Sequence, residues 1–127
     1  MKITDEDLLN DVLEAYYEAR KQKRNTRSQV SFEMNLEHNL VELYDELRQR
    51  TWKPSGCICF ITVDPVKREV FASPFRDRVV HHLLFDYISP IFERLFIYDS
   101  YSCRKGKGTL KALERYEHHI RACSNNY

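Results

Sequence analysis

A basic cluster between residues 67 and 81 has the composition of a phosphate-binding site. Its four cations are Lys67, Arg68, Arg76 and Arg78. The last two follow Ser73-Pro74, a typical start of a helix. Arginine forks and the free N–H groups of a helix start both suit phosphate oxygens. The same arginines could instead pair with Asp77 or Glu69 on the surface, and composition alone leaves both interpretations open.

A second basic cluster lies between residues 99 and 109, directly before a predicted helix. It combines an aromatic residue with three cations and two glycines: Tyr101, Arg104, Lys105, Gly106, Lys107 and Gly108. Backbone N–H groups and the cations could face a phosphodiester backbone, and Tyr101 could stack on a base or a sugar. The alternative is a flexible surface loop without a ligand.

Other reactive side chains do not combine into a recognisable site. The pairs His81-His82 and His118-His119 are adjacent in sequence, so their side chains diverge on a helix and neither pair chelates one metal. The cysteines at positions 57, 59, 103 and 123 match no zinc spacing, and we expect them to be reduced and partly buried. The sequence also lacks a phosphate-binding glycine loop and a nucleophile elbow. Taken by themselves, the residues show no complete active site.

Hydrophobic periodicity predicts helices that position these clusters. They cover residues 5–24, 32–50, 73–96 and 109–123. Thr4 and Ser31 are the expected N-caps of the first two helices, and Ser89-Pro90 is expected to break the third. Residues 79–88 are apolar almost all round, which predicts a buried helix. The basic stretch 20–27 suits the end of a helix dipole, with a nucleic-acid contact as the alternative.

Residues 57–63 and 68–71 are predicted to pair as an antiparallel hairpin that leans on the helices. Cys57 and Cys59 then share one face of the sheet. A hydrophobic fraction of 43% with only 3 Gly and 4 Pro favours one ordered, helix-rich domain. The fold class is therefore α+β, mostly helical with a short hairpin. Neither a membrane span nor a signal peptide is evident, so we expect a cytoplasmic protein without a membrane partner.

The two basic clusters, in this order, resemble sequence blocks in the fingers of bacterial reverse transcriptases. The resemblance is to the retron-type, group II intron and diversity-generating retroelement branches. Its motifs are Arg68, Pro74, Asp77-Arg78-Val79-Val80, Pro90-Ile91-Phe92, Ser100-Tyr101, Arg104-Lys105-Gly106-Lys107 and Ala112-Leu113. They fall within residues 67–121, and residues 32–54 are compatible with the preceding block. Ser102-Cys103 replaces the Gly-Phe of intron-encoded relatives, which is closer to the diversity-generating branch.

The resemblance implies a role for each matching position. Arg68 and Arg78, supported by Lys67 and Arg76, would hold the triphosphate of an incoming deoxynucleotide. The template-primer would be contacted by Tyr101, Arg104, Lys105 and Lys107. The implied partners are an RNA template, a DNA primer or cDNA, and dNTP, with an accessory protein as a further candidate.

The resemblance also implies that residues 1–127 form one N-terminal fingers region of an RNA-directed DNA polymerase, with the palm absent. Residues 1–54 would be a helical extension, and residues 55–127 the hairpin and its helices. The catalytic Asp residues and their Mg²⁺ would belong to the palm of the full-length enzyme, which packs with the thumb against the fingers. We therefore expect the chain alone to be inactive.

Two other functions fit the residues without the resemblance. A stand-alone helical module could bind nucleic acid through the stretches 20–27 and 104–107, and submicromolar affinity at physiological salt would favour it. A helical protein-interaction domain would bind no nucleic acid even at low salt. The retroelement class, template identity, priming mode, oligomeric state and any role of Cys57 and Cys59 beyond packing are not encoded in recognisable motifs.

Overall fold

The computed structural model describes residues 5–22 and 25–124. In this part of the chain, five helices and one hairpin follow each other. They are α1 (Asp5–Gln22), α2 (Arg27–Glu33), α3 (Leu36–Arg48), β1 (Ile58–Thr62), β2 (Arg68–Ala72), α4 (Phe75–Leu95) and α5 (Thr109–Cys123). The strands pair antiparallel in one two-stranded sheet. The fold is α+β and mostly helical, which confirms the predicted class. None of the described helices combines the length and the apolar character that a membrane span requires.

The chain divides into two compact units, Met1–Ile88 and Ser89–Tyr127, and the division falls inside α4. The division at residue 54 that the resemblance implies follows the sequence blocks of the reverse transcriptases and not the compactness of the folded chain. It stays a prediction. Thr4, Lys23 and Arg24 lie outside the described residues, so the expected cap of the first helix and part of the basic stretch 20–27 do as well.

The core of the first unit brings together one face of each of its four helices. At its centre the rings of Tyr16, Phe32 and Phe75 contact one another, with centroids 5.5 to 6.4 Å apart. The other buried apolar side chains are Val12, Ala15, Ala19, Leu40, Leu43, Val79, Val80 and Leu83. These positions recur at helical spacing, so burial of one stripe per helix holds the unit together.

The predicted helix 32–50 is wrong at its start, because the structure contains two helices there. Thr26 caps α2 by accepting a hydrogen bond from the Gln29 backbone N–H at 3.3 Å. Ser31, the predicted cap, lies inside α2. The chain then turns at Asn35, whose φ of −128° and ψ of 48° are not helical, and α3 begins at Leu36. A single asparagine is a weak stop signal, so periodicity alone joined the two helices.

Two predictions about α4 are also wrong. The helix continues through Pro90 to Leu95 instead of breaking. Pro90 lacks the N–H that would bond the Asp86 carbonyl, and Asp86 is exposed, so water can hydrate that group. The segment 79–88 is buried on one side only, because Leu84, Phe85 and Ile88 are exposed.

The hairpin and the cysteines are more exposed than predicted. Apolar side chains on both faces of the hairpin face solvent, among them Ile58, Phe60, Ile61 and Phe71. The hairpin therefore does not lean on the helices through its side chains. Contrary to expectation, all four cysteines are exposed, and none forms a disulfide.

A buried phenol gives the first unit a sensitivity to alkaline pH. The Tyr16 hydroxyl donates to Glu33 Oε1 at 2.6 Å, and Arg20 Nε donates to the same oxygen at 2.7 Å. Burial, followed by the bond to the Glu33 carboxylate, raises the pKa of Tyr16 to about 12. Burial and a hydrogen bond to Asp11 raise the pKa of Tyr87 to about 12 as well.

We therefore expect the free energy of unfolding to fall as the pH rises from about 10 to about 12. In that window the unfolded chain has lost phenolic protons that the folded chain retains. Tyr16→Phe should flatten this slope, removing a pH-dependent loss on the order of 2 kcal/mol. Urea titrations at several pH values measure it. The exposed Tyr17→Phe is the control, and equal slopes in both variants would contradict the assignment.

Candidate nucleic-acid interface

The loop between α4 and α5, in the second unit, is organised by Arg104. Its guanidinium donates to both carboxylate oxygens of Glu93, at 2.7 to 3.2 Å, and to the carbonyls of Ile97 and Ser100. It also lies over the Phe96 ring, 5.2 Å from the centroid. The hydrogen bond from Arg104 lowers the pKa of Glu93 below its ordinary value. Only 11% of the Arg104 side chain is exposed, so this cation is engaged inside the unit.

Two glycines hold Lys107 at the other end of this loop. Gly106 has φ 73° and Gly108 has φ 131°, both in the region that side-chain-bearing residues rarely adopt. The ammonium of Lys107 lies between two tyrosine rings, 4.5 Å from the Tyr98 centroid and 4.8 Å from the Tyr101 centroid. It also donates to the Tyr98 carbonyl. The two glycines of the second basic cluster thus allow the loop conformation that places the Lys107 ammonium among aromatic rings.

Around Lys107 the unit forms a groove of about 390 Å³. We define the cation–aromatic groove by its eight lining residues, Tyr98, Tyr101, Gly106, Lys107, Lys111, Glu114, Arg115 and His118. Lys111, Arg115 and His118 come from α5, where their spacing of four and three residues puts them on one side of the helix. Its lining includes three cations and one carboxylate, so the groove is electropositive.

The carboxylate of Asp99 fixes the side chains at the edge of the cation–aromatic groove. It accepts hydrogen bonds from Tyr101 Oη at 3.1 Å and Arg115 Nε at 2.9 Å, and His119 Nε2 lies 3.3 Å away. Partial burial raises the pKa of Asp99, but the bonds from Arg115, His119 and Tyr101 outweigh it, so the pKa lies below its usual value. Asp99 therefore remains ionised and orients Tyr101 and Arg115.

The groove offers two interactions that single-stranded nucleic acids use. Lys107, Lys111 and Arg115 can neutralise backbone phosphates, and the tyrosines offer ring surface for base stacking. Of the predicted template-primer contacts, Tyr101 and Lys107 line the groove. Lys105 is exposed outside its lining, and Arg104 is engaged with Glu93.

The basic cluster of the first unit is divided between two elements. Lys67 and Arg68 are exposed at the turn and the first residue of β2, and Arg78 is half-buried in the first turn of α4. None of these three cations pairs with a described carboxylate. Arg76 differs, because its guanidinium bonds Glu46 and lies 3.7 Å from Asp77 Oδ1. The alternative that the arginines pair with carboxylates therefore holds for Arg76. Arg78 has no described carboxylate partner and could bind a phosphate.

His118 and His119 lie at or beside the cation–aromatic groove. His118 lines the groove and His119 contacts Asp99, with the two rings 5.9 Å apart. Within residues 5–22 and 25–124, no three His, Cys, Asp or Glu side chains are close enough to hold a metal ion.

Sequence reasoning missed Tyr98, Lys111, Arg115 and His118 as groove residues and Asp99 as their organiser. The signal for three of them was present in the regular spacing of Lys111, Arg115 and His118 along one predicted helix. Neither the models of known protein families nor the curated proteins compared with this chain include a match.

Proposed function

We propose that this chain is the fingers region of an RNA-directed DNA polymerase, which binds the template-primer and the incoming dNTP. The observation that carries the proposal is the cation–aromatic groove. It contains Tyr101 and Lys107, where the resemblance to reverse transcriptases expects the nucleic acid. Three further side chains of suitable chemistry join them from α5: Lys111, Arg115 and His118.

The dNTP contact in this proposal belongs to Arg68 and Arg78, with Lys67 in support. Arg68 and Arg78 have no described carboxylate partner, so binding a triphosphate would break none of the ion pairs that the structure describes. Two guanidinium groups can donate several charge-assisted hydrogen bonds to phosphate oxygens. We leave Arg76 out of the dNTP contacts and Arg104 out of the template-primer contacts, because glutamates bond the terminal nitrogens of both guanidinium groups. Arg115 stays among the groove cations, because it bonds Asp99 through Nε.

Mg²⁺ and the catalytic carboxylates are assigned in this proposal to a palm outside the 127 residues. The proposal places no chemical step on this chain. The contribution of the fingers is to bind and orient the two substrates.

A stand-alone nucleic-acid-binding module is the second candidate. The observation in its favour is that all eight groove residues belong to the second unit. The gene sequence beyond the codon for Tyr127 separates the two. A reading frame with an Asp-containing block and a Tyr-x-Asp-Asp turn supports the polymerase, and a stop codon at position 128 supports the module.

For the product of the complete reading frame, we expect Arg78→Gln to raise the KM for dNTP about tenfold in primer extension, because a charge-assisted bond to the triphosphate is lost. The affinity for template-primer should change by less than about twofold, since the groove is untouched. Arg94→Gln, which removes an exposed charge elsewhere on α4, should change neither value. An unchanged KM for Arg78→Gln, or no primer extension by the wild-type product, would overturn the proposal.

A further inference from the structure

Among the described residues of the first unit, Asp77 is one of two buried polar residues, and its side chain reaches outside its own helix. The residue is 1% exposed. Its Oδ2 accepts the backbone N–H of Ser55 at 2.7 Å, and its Oδ1 accepts the Ser55 hydroxyl at 3.2 Å. A buried carboxylate is costly unless its oxygens are hydrogen-bonded, so these two bonds hold Ser55 firmly against the first turn of α4.

Ser55 lies at the base of the hairpin, three residues before β1. Gly56 follows it, and a Cβ added at this position would meet no atom within 4 Å, so no side chain packs against that side of the residue, and glycine itself permits a wide range of backbone angles. The apolar side chains of the hairpin are largely exposed and do not anchor it. Across the base of the hairpin, Cys57 Sγ and Ser73 Oγ are 3.8 Å apart, which is a weak contact. The bonds between Asp77 and Ser55 are therefore the strongest described hold on the base of the hairpin.

The angle of the hairpin decides where Arg68 lies. Arg68 is four residues from Ala72, the last residue of β2, which places it about 13 Å from the base of the hairpin. A tilt of about 10° at the base would then move Arg68 by about 2 Å. Displacements of about 1 Å are enough to cost large factors in substrate positioning. Arg78, by contrast, is on the same helical turn as Asp77 and does not depend on that angle.

We propose that Asp77 is a positioning residue for the triphosphate: its buried carboxylate holds Ser55, and with it the hairpin, at the angle that brings Arg68 to the same dNTP as Arg78. The inference rests on the proposed function of Arg68 and Arg78. It adds a residue that does not touch the nucleotide.

The sign of the effect separates positioning from charge. Removing the Asp77 charge would by itself strengthen the binding of a phosphate anion. Positioning predicts the opposite, so Asp77→Asn should raise the KM for dNTP about fivefold in primer extension by the product of the complete reading frame. Asp86→Asn removes the same charge from an exposed site on α4 and should not raise the KM.

A double-mutant cycle supplies the readout that a merely structural role would not move. Arg68→Gln should raise the KM about tenfold in the wild type but less than about twofold in Asp77→Asn, where Arg68 is already misplaced. Arg78→Gln should raise it about tenfold in both backgrounds. If Asp77→Asn does not fold, Ser55→Ala, which removes one of the two hydrogen bonds, replaces it in the cycle with the same asymmetry expected.

Two results would overturn the inference in distinguishable ways. If Arg68→Gln costs the same factor in the wild type and in a folded Asp77→Asn, the inference fails and the dNTP contacts stand. If neither Arg68→Gln nor Arg78→Gln changes the KM in the wild type, the proposed dNTP contacts fail and the inference fails with them.

Discussion

Replacing Lys107, Lys111 and Arg115 together with glutamine is expected to weaken binding of a short single-stranded RNA about a hundredfold at low salt. Each cation that leaves the cation–aromatic groove removes one phosphate contact and the counterion release that accompanies it. In a plot of the logarithm of affinity against the logarithm of salt concentration, the slope should become less steep by about 2, because each phosphate contact to a single strand contributes about 0.7 to it. Fluorescence anisotropy across a salt series measures both quantities.

The matched control removes the same number of positive charges from exposed positions outside the groove: Lys53, Arg94 and Arg121. We expect this second triple variant to lose less than about fivefold in affinity and little of the salt slope. Equal losses in both variants would mean that the RNA responds to net charge and that the groove is not the interface. Tyr101→Ala and Tyr98→Ala then test whether stacking adds to the electrostatic contribution.

The second large effect concerns stability: Phe75→Ala should lower the free energy of unfolding by about 3 to 5 kcal/mol. Phe75 is 1% exposed, and its ring contacts Tyr16 from α1 and Phe32 from α2. Its backbone N–H also donates to Ser28 Oγ at 2.7 Å, so the start of α4 is tied to α2 at this point. Domains of this size have about 5 to 15 kcal/mol in total, so the variant should be unfolded to a large extent at moderate temperature.

Phe71→Ala is the natural comparison for Phe75→Ala, because the same ring is removed four residues earlier. Phe71 lies on β2 and is 66% exposed, so its loss should change the unfolding free energy by less than about 1 kcal/mol. Urea denaturation followed by circular dichroism measures both variants. A large loss in Phe71→Ala would mean that the hairpin packs against another part of the protein in solution, contrary to the exposure of Phe71 in the structure.

The sequence was sufficient to predict most of the local structure. The strands, the turn between them, the loop before α5 and the bounds of α5 follow from residue types and periodicity, because β-branched runs, glycines and helical spacing act over a few residues. The boundary between α2 and α3 could not be predicted, since Thr26 and Ser31 are both residue types that cap helices and the asparagine at the turn is a weak stop signal. Phe32 packs against Tyr16 and Phe75, contacts with partners too distant along the chain for a local pattern to show.

The candidate site shows the same division. The sequence singled out Tyr101 and Lys107, and the structure places both in one groove. It also singled out Arg76 and Arg104, which form ion pairs with Glu46 and Glu93 in the folded chain. Those glutamates are 30 and 11 residues away, so no local pattern could show that the two arginines are engaged.

By itself, the sequence determined which chemistry the chain can offer: two clusters of cations, each next to a helix start, and tyrosines beside the second. Residue type sets charge and hydrogen-bonding capacity wherever a side chain lies. Only the tertiary structure decided which of these groups face outward. Burial and ion pairing depend on distant partners such as Ser55 for Asp77 and Glu93 for Arg104, and it is the folded chain that brings those partners within 3 Å or so of each other.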